Sequence, residues 1–386
     1  MKILFIIPSY QPAICYGGTT VVVSLLAEEL AKLNHEVDVY TTTANGKNEL
    51  PDIKPNETKV LNHVRVTYFK RITGDHTHFS PAMLKTLFKT ARQFDIIHLH
   101  SWWNLFNISA ATLLACLSKE YIISAHGMLS TYTLQNQNTK LKQILHSTLG
   151  KRLLGKSTMH ACTPQEFEEG LKIIPKWKGF TIPNLINLPQ KDIGIKPTNK
   201  VFSIAFLSRI EQKKGLETFF HVLPKLSFDY QLTIAGDGEI NYVAQLRNKV
   251  QSLLVSDKVN WIGWLNEEKF NFLAKADLFI LPSHNENFAV VVLEAIAAGT
   301  PVLISNKVGL SYFVAQHQLG WIYDGTEIDL MQKLQIAYED TTVKINTKEN
   351  GLNLVSTNFN SVTLAKNYVS QYETLLYSRS MKQEIR

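Results

Sequence analysis

The stretch Ala276–Leu310, ADLFILPSHNENFAVVVLEAIAAGTPVLISNKVGL, constrains the fold of this chain more than any other. Its first apolar run, Asp277 to Leu281, ends at a proline and is too short for a helix, so it predicts a strand buried on both faces. A second run, Pro301 to Ile304, predicts another strand. Between them, Asn287 to Gly299 has helical length, strong helix formers and a terminal glycine suited to a C-terminal cap. The expected unit is strand, loop, helix and strand, with the loop at the carboxyl edge of a parallel sheet, where ligands bind.

Two carboxylates, Glu286 and Glu294, mark the loop and the helix of this unit. A purely structural interpretation is open for each, since Glu286 could cap the helix start and Glu294 could face solvent. However, VVVL precedes Glu294 and AIAA follows it, so this helix is apolar on nearly all sides and is predicted to be buried. A carboxylate in a buried helix needs a partner, and we expect Glu294 to have one.

The segment PSHNENFAVVVLEAIAAGTPVLIS resembles the signature of the family 4 retaining glycosyltransferases, a Glu-x7-Glu pair of the form E-x-F-G-x-x-x-x-E before A-x-A-x-G-x-P-V. The resemblance implies a GT-B fold, in which two Rossmann-like domains face each other across a cleft and the last helix crosses back to the first domain. It also implies that Glu294 accepts hydrogen bonds from the donor ribose and that Glu286 lies beside the donor sugar, with Asn287 and Phe288 in the same donor-binding loop. Ala289 stands where the family usually has glycine, and its methyl group could crowd the donor sugar or diphosphate.

Composition sets outer bounds on the fold and the partners. A chain of 386 residues is expected to form two domains of about 150 to 200 residues each. The net charge of +7 favours an anionic partner, which could be a nucleotide, a membrane surface or a nucleic acid. The three cysteines, Cys15, Cys116 and Cys162, have no metal-type spacing, which argues against a disulfide framework or zinc site and favours a reducing cytoplasm.

The N-terminus, MKILFIIPSY, is interpreted as the first buried strand, because its apolar run ends at Pro8 and is shorter than the core of a secretion signal. No run approaches the length of a membrane span. Gly17 and Gly18 follow this strand, and a helix is predicted from about Thr19 to Leu33. This opening is Rossmann-like but lacks G-x-G-x-x-G, so the glycines could be simple turn residues. The family resemblance implies a place for both near the donor diphosphate and the acceptor.

Further first-domain candidates follow two predicted strands. Trp102 and Trp103 stand at a presumed carboxyl edge, and one of them could offer a flat face to a sugar, whereas the other is expected in the core. His126 follows the strand Tyr121 to Ser124, and as a lone histidine it could be structural, whereas the resemblance implies that it lies close to the transferred sugar. His98 and His100 are interpreted as structural, with acceptor contact left open.

The segment Thr139 to Lys156 has leucines and isoleucine at helical spacing, which predicts a pair of amphipathic helices. Its polar positions hold five cations and no acid: Lys140, Lys142, Lys151, Arg152 and Lys156. One interpretation is a solvated face, and the other is contact with a membrane surface or an anionic acceptor.

The segment IPNLINLPQKDIGIKPTNK lacks periodicity and is rich in proline, asparagine and lysine, so it is predicted to separate the domains. The expected division is 1–188 together with the returning helix 366–386 as acceptor domain, and 198–365 as donor domain. Beyond the linker, Arg209 and Lys214 fill the loop after a strand and match the family pattern R-x-x-x-x-K-G, whose Arg and Lys hold the donor diphosphate. The resemblance further places three glycines at two other strand ends near the base and ribose: Gly236 and Gly238 at one, and Gly263 at the other.

The resemblance implies transfer of a hexosyl unit, with retention, from a UDP- or GDP-linked sugar to a glycan or lipid-linked acceptor, as in bacterial surface polysaccharide synthesis. The catalytic candidates are Glu286, His126, Arg209 and Lys214, and neither a metal nor nucleic acid is expected as a partner. We expect a cytoplasmic location. An anionic membrane surface, at the inner face of the plasma membrane, is a further candidate partner. Two other interpretations remain open at this point: a GT-B nucleotide-sugar epimerase, and a binding protein that has lost catalysis.

Overall fold

The computed structural model describes residues 1–130, 132–133, 149–188, 201–265 and 268–384. The chain divides into two compact units, the first formed by Met1–Ile186 with Phe359–Arg386 and the second by Asn187–Asn358. The chain thus returns to the first unit at Phe359, whereas the returning segment was predicted to begin at residue 366. The difference arises because the whole last helix belongs to the first unit. Within the described part of the chain, no helix has both the length and the apolar character needed to span a membrane.

The first unit contains an eight-stranded sheet among the described residues, with strand order β10-β9-β8-β7-β1-β2-β6-β5. All neighbouring strands are parallel except the antiparallel pair of β5 and β6. A separate antiparallel pair is formed by β3 and β4. The strands are β1 Lys2–Ile6, β2 Glu36–Thr42, β3 Ala44–Asn45, β4 Asn48–Glu49, β5 Glu57–Leu61, β6 Val64–Phe69, β7 Ile96–His100, β8 Ile122–Ser124, β9 Thr158–Ala161 and β10 Gly179–Thr181.

Five helices of this unit precede the linker in the described residues: α1 Gly18–Lys32, α2 Pro81–Thr90, α3 Leu105–Cys116, α4 Lys151–Gly155 and α5 Pro164–Ile173. Local sequence explains where they begin. Ser80 caps α2 by accepting a hydrogen bond from the Met83 N–H, and a proline takes the first helical position. Asn104 caps α3 in the same way. Of the predicted amphipathic segment, residues 139–148 lie outside the described residues.

The second unit is built on a fully parallel sheet of six strands in its described residues, with order β13-β12-β11-β14-β15-β16. Its strands are β11 Phe202–Leu207, β12 Tyr230–Ala235, β13 Val259–Gly263, β14 Leu278–Leu281, β15 Val302–Ser305 and β16 Gly320–Tyr323. Its helices are α6 Leu216–Val222, α7 Ile240–Ser252, α8 Lys269–Ala274, α9 Val290–Ala297, α10 Ser311–Gln316, α11 Glu327–Glu339 and α12 Thr341–Asn358. The chain adds strands to one side of β11 and then, from β14 onward, to the other side, so the connections diverge between β11 and β14. Such a switch point leaves a crevice at the carboxyl edge of the sheet.

The last helix, α13 Ser361–Glu384, belongs to the first unit and packs against α1. Its Tyr368 and Tyr372 side chains are buried and reach the sheet. The Tyr372 hydroxyl lies 2.8 Å from His98 Nδ1, and the Tyr368 hydroxyl lies 2.8 Å from His160 Nε2. The tyrosines therefore attach the returning helix to strands β7 and β9 through polar contacts as well as through packing.

A buried chain of hydrogen bonds continues from this attachment. Ser124 Oγ lies 2.6 Å from both His98 Nε2 and His160 Nδ1, and His160 Nε2 lies 2.9 Å from the Ile182 carbonyl oxygen. Because a carbonyl only accepts, His160 carries its proton on Nε2. Ser124 then donates to His160, His98 donates to Ser124, and Tyr372 donates to His98. Both ring nitrogens of each imidazole and the Ser124 hydroxyl have a partner with the imidazoles neutral, which agrees with the structural interpretation of His98.

We expect the free energy of unfolding to fall as the pH is lowered from 7 to 5. Burial lowers the pKa of His160 to about 4 and that of His126 to about 3, and it holds the pKa values of His98 and His100 well below the usual range. Between pH 6.5 and 4 the unfolded chain therefore binds more protons than the folded chain, and stability is lost on acidification. Each histidine contributes a slope of about 1.4 kcal/mol per pH unit.

Urea unfolding at several pH values measures this slope. The variant His63→Gln, which changes an exposed histidine, serves as control and should keep the slope of the unaltered protein. A free energy of unfolding that stays constant from pH 7 to 5 would contradict the neutral, buried arrangement.

Candidate active site

Two loops of the second unit, 208–215 after β11 and 282–289 after β14, flank the switch point and are joined by an ion pair. Lys214 Nζ binds Glu286 Oε2, and the two side chains are 9% and 18% exposed. The His284 N–H also donates to the Lys213 carbonyl oxygen at 2.8 Å. Gly215 has a φ of 73°, and a Cβ there would overlap the Pro282 carbonyl oxygen. The sequence Lys-Gly thus supplies both the cation and the close backbone approach that brings it to Glu286.

The charge state of Glu286 follows from this environment. Burial by itself would raise the pKa of the carboxyl group, but the charges of Lys214 and Lys213 outweigh it and lower the pKa below its usual value. Arg209 adds to this effect, while its own Nη1 lies 2.8 Å from Glu211 Oε1. The Arg209 side chain is 40% exposed, in contrast to the buried Lys214. The structure therefore brings three cations around an ionised Glu286.

Ala289 explains why α9 begins at Val290 and not at the predicted Asn287. Its φ of 64° and ψ of 67° are left-handed, and it serves as the N-cap residue of α9. Glycine adopts this conformation without strain, which gives a backbone reason for the glycine of the family pattern at this position. Alanine adopts it at a cost of about 1 kcal/mol. Phe288, next to it, is buried at 3% exposure.

Glu294 lies inside α9 and is 8% exposed, so the predicted buried carboxylate is confirmed. Its partner is Lys269, the first residue of α8, whose Nζ lies 2.5 Å from Glu294 Oε1. Sequence reasoning indicated that a partner was needed but did not identify Lys269. The two residues are separated by 25 positions and belong to different helices, so no local pattern links them.

The two glycines that follow β12 have packing reasons for their identity, whereas Gly263, the last residue of β13, has open space at its Cβ position and a left-handed φ of 74°. A Cβ at Gly236 would overlap the Ser208 carbonyl oxygen, and one at Gly238 would overlap the Ile210 carbonyl oxygen. The Gly236 N–H donates to the Gly263 carbonyl oxygen at 2.7 Å. These contacts draw the loop after β12 onto the loop that carries Arg209. The role of these glycines in donor binding stays a prediction.

In the first unit, Gly17 is the N-cap residue of α1 and has a φ of 79° and a ψ of −150°. No acidic side chain lies in the first turn of α1, so nothing in that turn neutralises the positive end of the helix. A Cβ at Gly18 would meet no atom within 4 Å, so its glycine identity has no packing reason. An anion could approach this helix end closely.

His126 follows β8 in a left-handed conformation, with a φ of 52°. Its Nε2 lies 3.2 Å from Nδ1 of the buried His100. The adjacent Gly127 N–H donates to Glu166 Oε1 at 2.7 Å, and this buried carboxylate also accepts a hydrogen bond from the Cys162 N–H. Glu166, which the sequence analysis did not single out, therefore fixes the loop that presents His126. Because burial lowers the pKa of His126 to about 3, its imidazole is neutral and acts as a hydrogen-bonding group.

The two tryptophans after β7 have different environments. Trp102 is completely buried, as expected for one of the pair. Trp103 is partly buried, and its Nε1 donates to the Met128 carbonyl oxygen at 2.6 Å. Stacking of Trp103 on a sugar stays a prediction. Across the described residues, no group of three or more His, Cys, Asp or Glu side chains is arranged to hold a metal ion.

We expect Ala289→Gly to keep or raise stability, by up to about 1 kcal/mol, because glycine relieves the left-handed strain while it adds entropy to the unfolded chain. Ala297→Gly, in the helical interior of α9, should instead lower stability by about 1 kcal/mol or more. Urea unfolding of the two variants gives the comparison. A loss of stability in Ala289→Gly equal to that in Ala297→Gly would contradict the strained conformation.

Comparison with known proteins agrees with this geometry. The family model "Glycosyltransferase Family 4" matches residues 16–189, and the model "Glycosyl transferases group 1" matches residues 190–353. An uncharacterized glycosyltransferase from Methanocaldococcus jannaschii is 28% identical over 362 residues, which cover 84% of this chain and 85% of that protein.

Solved structures share the fold over nearly the whole chain. Sucrose-phosphate synthase from Thermosynechococcus elongatus has a TM-score of 0.75 at 20% identity and covers 98% of this chain and 100% of its own. The Anabaena protein HepE, solved in complex with UDP-glucose, has a TM-score of 0.72 at 19% identity, with 97% and 100% covered. The chain therefore belongs to the glycosyltransferases and is a transferase enzyme with the GT-B fold, built from two Rossmann-like domains.

Proposed function

We propose that this enzyme transfers a hexosyl unit from a UDP- or GDP-linked sugar to a glycan or lipid-linked acceptor, with retention at the anomeric carbon, in surface polysaccharide synthesis. The observation that carries the proposal is the group of three cations around Glu286: Arg209, Lys213 and Lys214. A nucleoside diphosphate gains negative charge as the glycosidic bond breaks, and cations at that position stabilise it. The presence of UDP-glucose in the HepE complex supports a donor of this class.

The proposed step forms the bond between the acceptor oxygen and the anomeric carbon as the bond from that carbon to the diphosphate oxygen breaks. The electron pair leaves with the diphosphate, and a diphosphate oxygen takes the proton of the acceptor hydroxyl. Glu286 is held by Lys214 and in turn positions that lysine beside the donor diphosphate, so it is not proposed as a nucleophile. His126, neutral in the folded protein, offers hydrogen bonds to the transferred sugar.

The two other interpretations, an epimerase and a binding protein without catalysis, are less well supported. Both family models that match the chain are of transferases. Ala289, the one departure from the family pattern, adopts the left-handed conformation that glycine would take, so it leaves the loop geometry intact. These observations favour an active transferase.

We expect turnover without a divalent metal, because Arg209 and Lys214 supply the positive charge at the diphosphate. The measurement is a screen of UDP- and GDP-linked hexoses for slow hydrolysis in excess chelator, with the anomeric configuration of the transferred sugar read by NMR. Arg209→Ala combined with Lys214→Ala should lower turnover at least about 100-fold. Arg247→Ala with Lys249→Ala removes the same charge from α7 and should leave turnover unchanged.

Two results would contradict this expectation. One is loss of turnover on chelation that magnesium or manganese restores, and the other is a product with inverted configuration.

A second part of the proposal concerns the acceptor side, and it is supported by how charge is distributed along the chain. Residues 76–165 contain nine lysines and arginines and only two acidic residues, so this stretch carries the entire net charge of +7. The remainder of the chain is balanced. A uniformly basic region in the first unit fits an anionic surface, and we assign it to the membrane leaflet that holds a lipid-linked acceptor.

The described helices of this stretch also expose apolar groups. On α2, Lys85, Phe88 and Lys89 are spaced to share one face, Arg92 follows in the short 3-10 turn Ala91–Gln93, and Phe88 is 62% exposed. Helix α2 packs against α3, and α3 packs against α4, which exposes Lys151 and Arg152. An apolar groove of about 630 Å³ between α2 and α3 is lined by Phe79, Leu84, Lys85, Leu105, Ile108, Ser109, Thr112, Leu113 and Cys116. An exposed aromatic side chain among cations, beside an apolar groove, is typical of a helix that binds at a lipid surface.

We expect the protein to sediment with vesicles that contain anionic lipid, and less so as salt is added. Each cation near the surface contributes about 1 kcal/mol, so Lys85→Ser, Lys89→Ser and Arg92→Ser together should weaken binding about 100-fold. The matched control replaces three exposed lysines outside the basic stretch: Lys54→Ser, Lys275→Ser and Lys348→Ser. Equal sedimentation of the two triple variants would end the membrane assignment.

A further inference from the structure

The ion pair between Lys269 and Glu294 has a fixed place in the second unit. Helix α8 packs on α9 and buries Leu273 and Ala274, and the Thr300 hydroxyl donates to the Leu273 carbonyl oxygen at 2.7 Å. Lys269 opens this docked helix, and its ammonium lies 5.2 Å from the centre of the Phe270 ring. The packing of α8 on α9 therefore sets where the ammonium stands relative to Glu294.

The contact engages one side of the carboxylate. Lys269 Nζ lies 2.5 Å from Oε1, and no hydrogen bond from a described residue reaches Oε2. The neighbours of Glu294 in α9, from Val292 to Ala297, are apolar and almost completely buried. Burying a carboxylate in such surroundings without a partner would cost free energy, so the ion pair with Lys269 sets the orientation of Glu294. Oε2 is left to accept a hydrogen bond from a ligand.

We infer that Lys269 is a positioning residue for the ribose of the donor and acts through Glu294. It holds Oε1 so that Oε2 accepts a hydrogen bond from a ribose hydroxyl, and it thereby contributes to discrimination between ribonucleotides and deoxyribonucleotides. The Lys269 side chain is 31% exposed and that of Glu294 is 11% exposed, so the pair lies near the surface, where a nucleotide can reach it. The inference rests on the proposed nucleoside-diphosphate donor and on the ribose contact of Glu294.

Calorimetry with UDP, GDP and their 2′-deoxy forms tests the inference. The unaltered protein should bind the preferred ribonucleotide about tenfold more tightly than its deoxy form, the effect of one charge-assisted hydrogen bond. In Lys269→Met the affinity for the ribonucleotide should fall about tenfold, while the affinity for the deoxynucleotide should change less than about twofold, so the discrimination disappears. Lys269→Arg keeps a cation and should retain most of the discrimination. Lys275→Met, an exposed lysine next to the same helix, should behave like the unaltered protein.

A variant with Glu294→Gln distinguishes action through Glu294 from a general loss of structure. This change keeps a neutral acceptor but loses the charge-assisted hydrogen bond, so it alone should lower the discrimination, and adding Lys269→Met should change the ratio of the two affinities no further. If the unaltered protein binds both nucleotide forms equally, the ribose contact fails together with the proposed role of Glu294. If it discriminates and Lys269→Met discriminates equally well, the positioning role is overturned while the proposed function stands.

Discussion

The reversal of strand order between β11 and β14 is the constraint on which the candidate donor site depends. Parallel pairing places the carboxyl ends of both strands at one edge, and the reversal sends their connections apart. The loop that carries Lys214 and the loop that carries Glu286 are thereby brought together, although 72 positions separate the two residues. Gly215 allows the backbones to touch, and the ion pair can then form with little exposure to water.

Buried polar groups determine much of the remaining geometry, because each requires a partner of fixed position. In the second unit, Lys269 meets this requirement for Glu294. In the first unit, a directed chain of hydrogen bonds joins Tyr372, His98 and Ser124 and ends at the Ile182 carbonyl oxygen. This chain attaches the returning helix to the sheet with neutral imidazoles, and so couples the stability of that attachment to pH.

Cations serve two separate purposes in the proposed enzyme. Near Glu286 they are few, partly buried and held by carboxylates, which is the arrangement suited to a developing diphosphate charge. In residues 76–165 the described cations are exposed except Lys119, whose Nζ donates to the Phe94 carbonyl oxygen. They have very few acidic neighbours in sequence and accompany the exposed Phe88. An exposed cation without a carboxylate partner contributes little to folding, and this distribution supports a role in surface binding.

The sequence by itself determined the strand–loop–helix–strand unit and the burial of Glu294, because run length and the apolar pattern act locally along the chain. The GT-B class came from the resemblance of the Glu-x7-Glu segment to a known family. It also indicated the Arg209 and Lys214 loop. Only the tertiary structure decided that Lys269 pairs with Glu294, that Glu166 holds the His126 loop, and that Trp102 and not Trp103 is the core residue. It likewise moved the start of α9 to Val290 through the left-handed Ala289. These outcomes depend on contacts between distant segments, and they exist only once the sheets have set which loops and helices are neighbours.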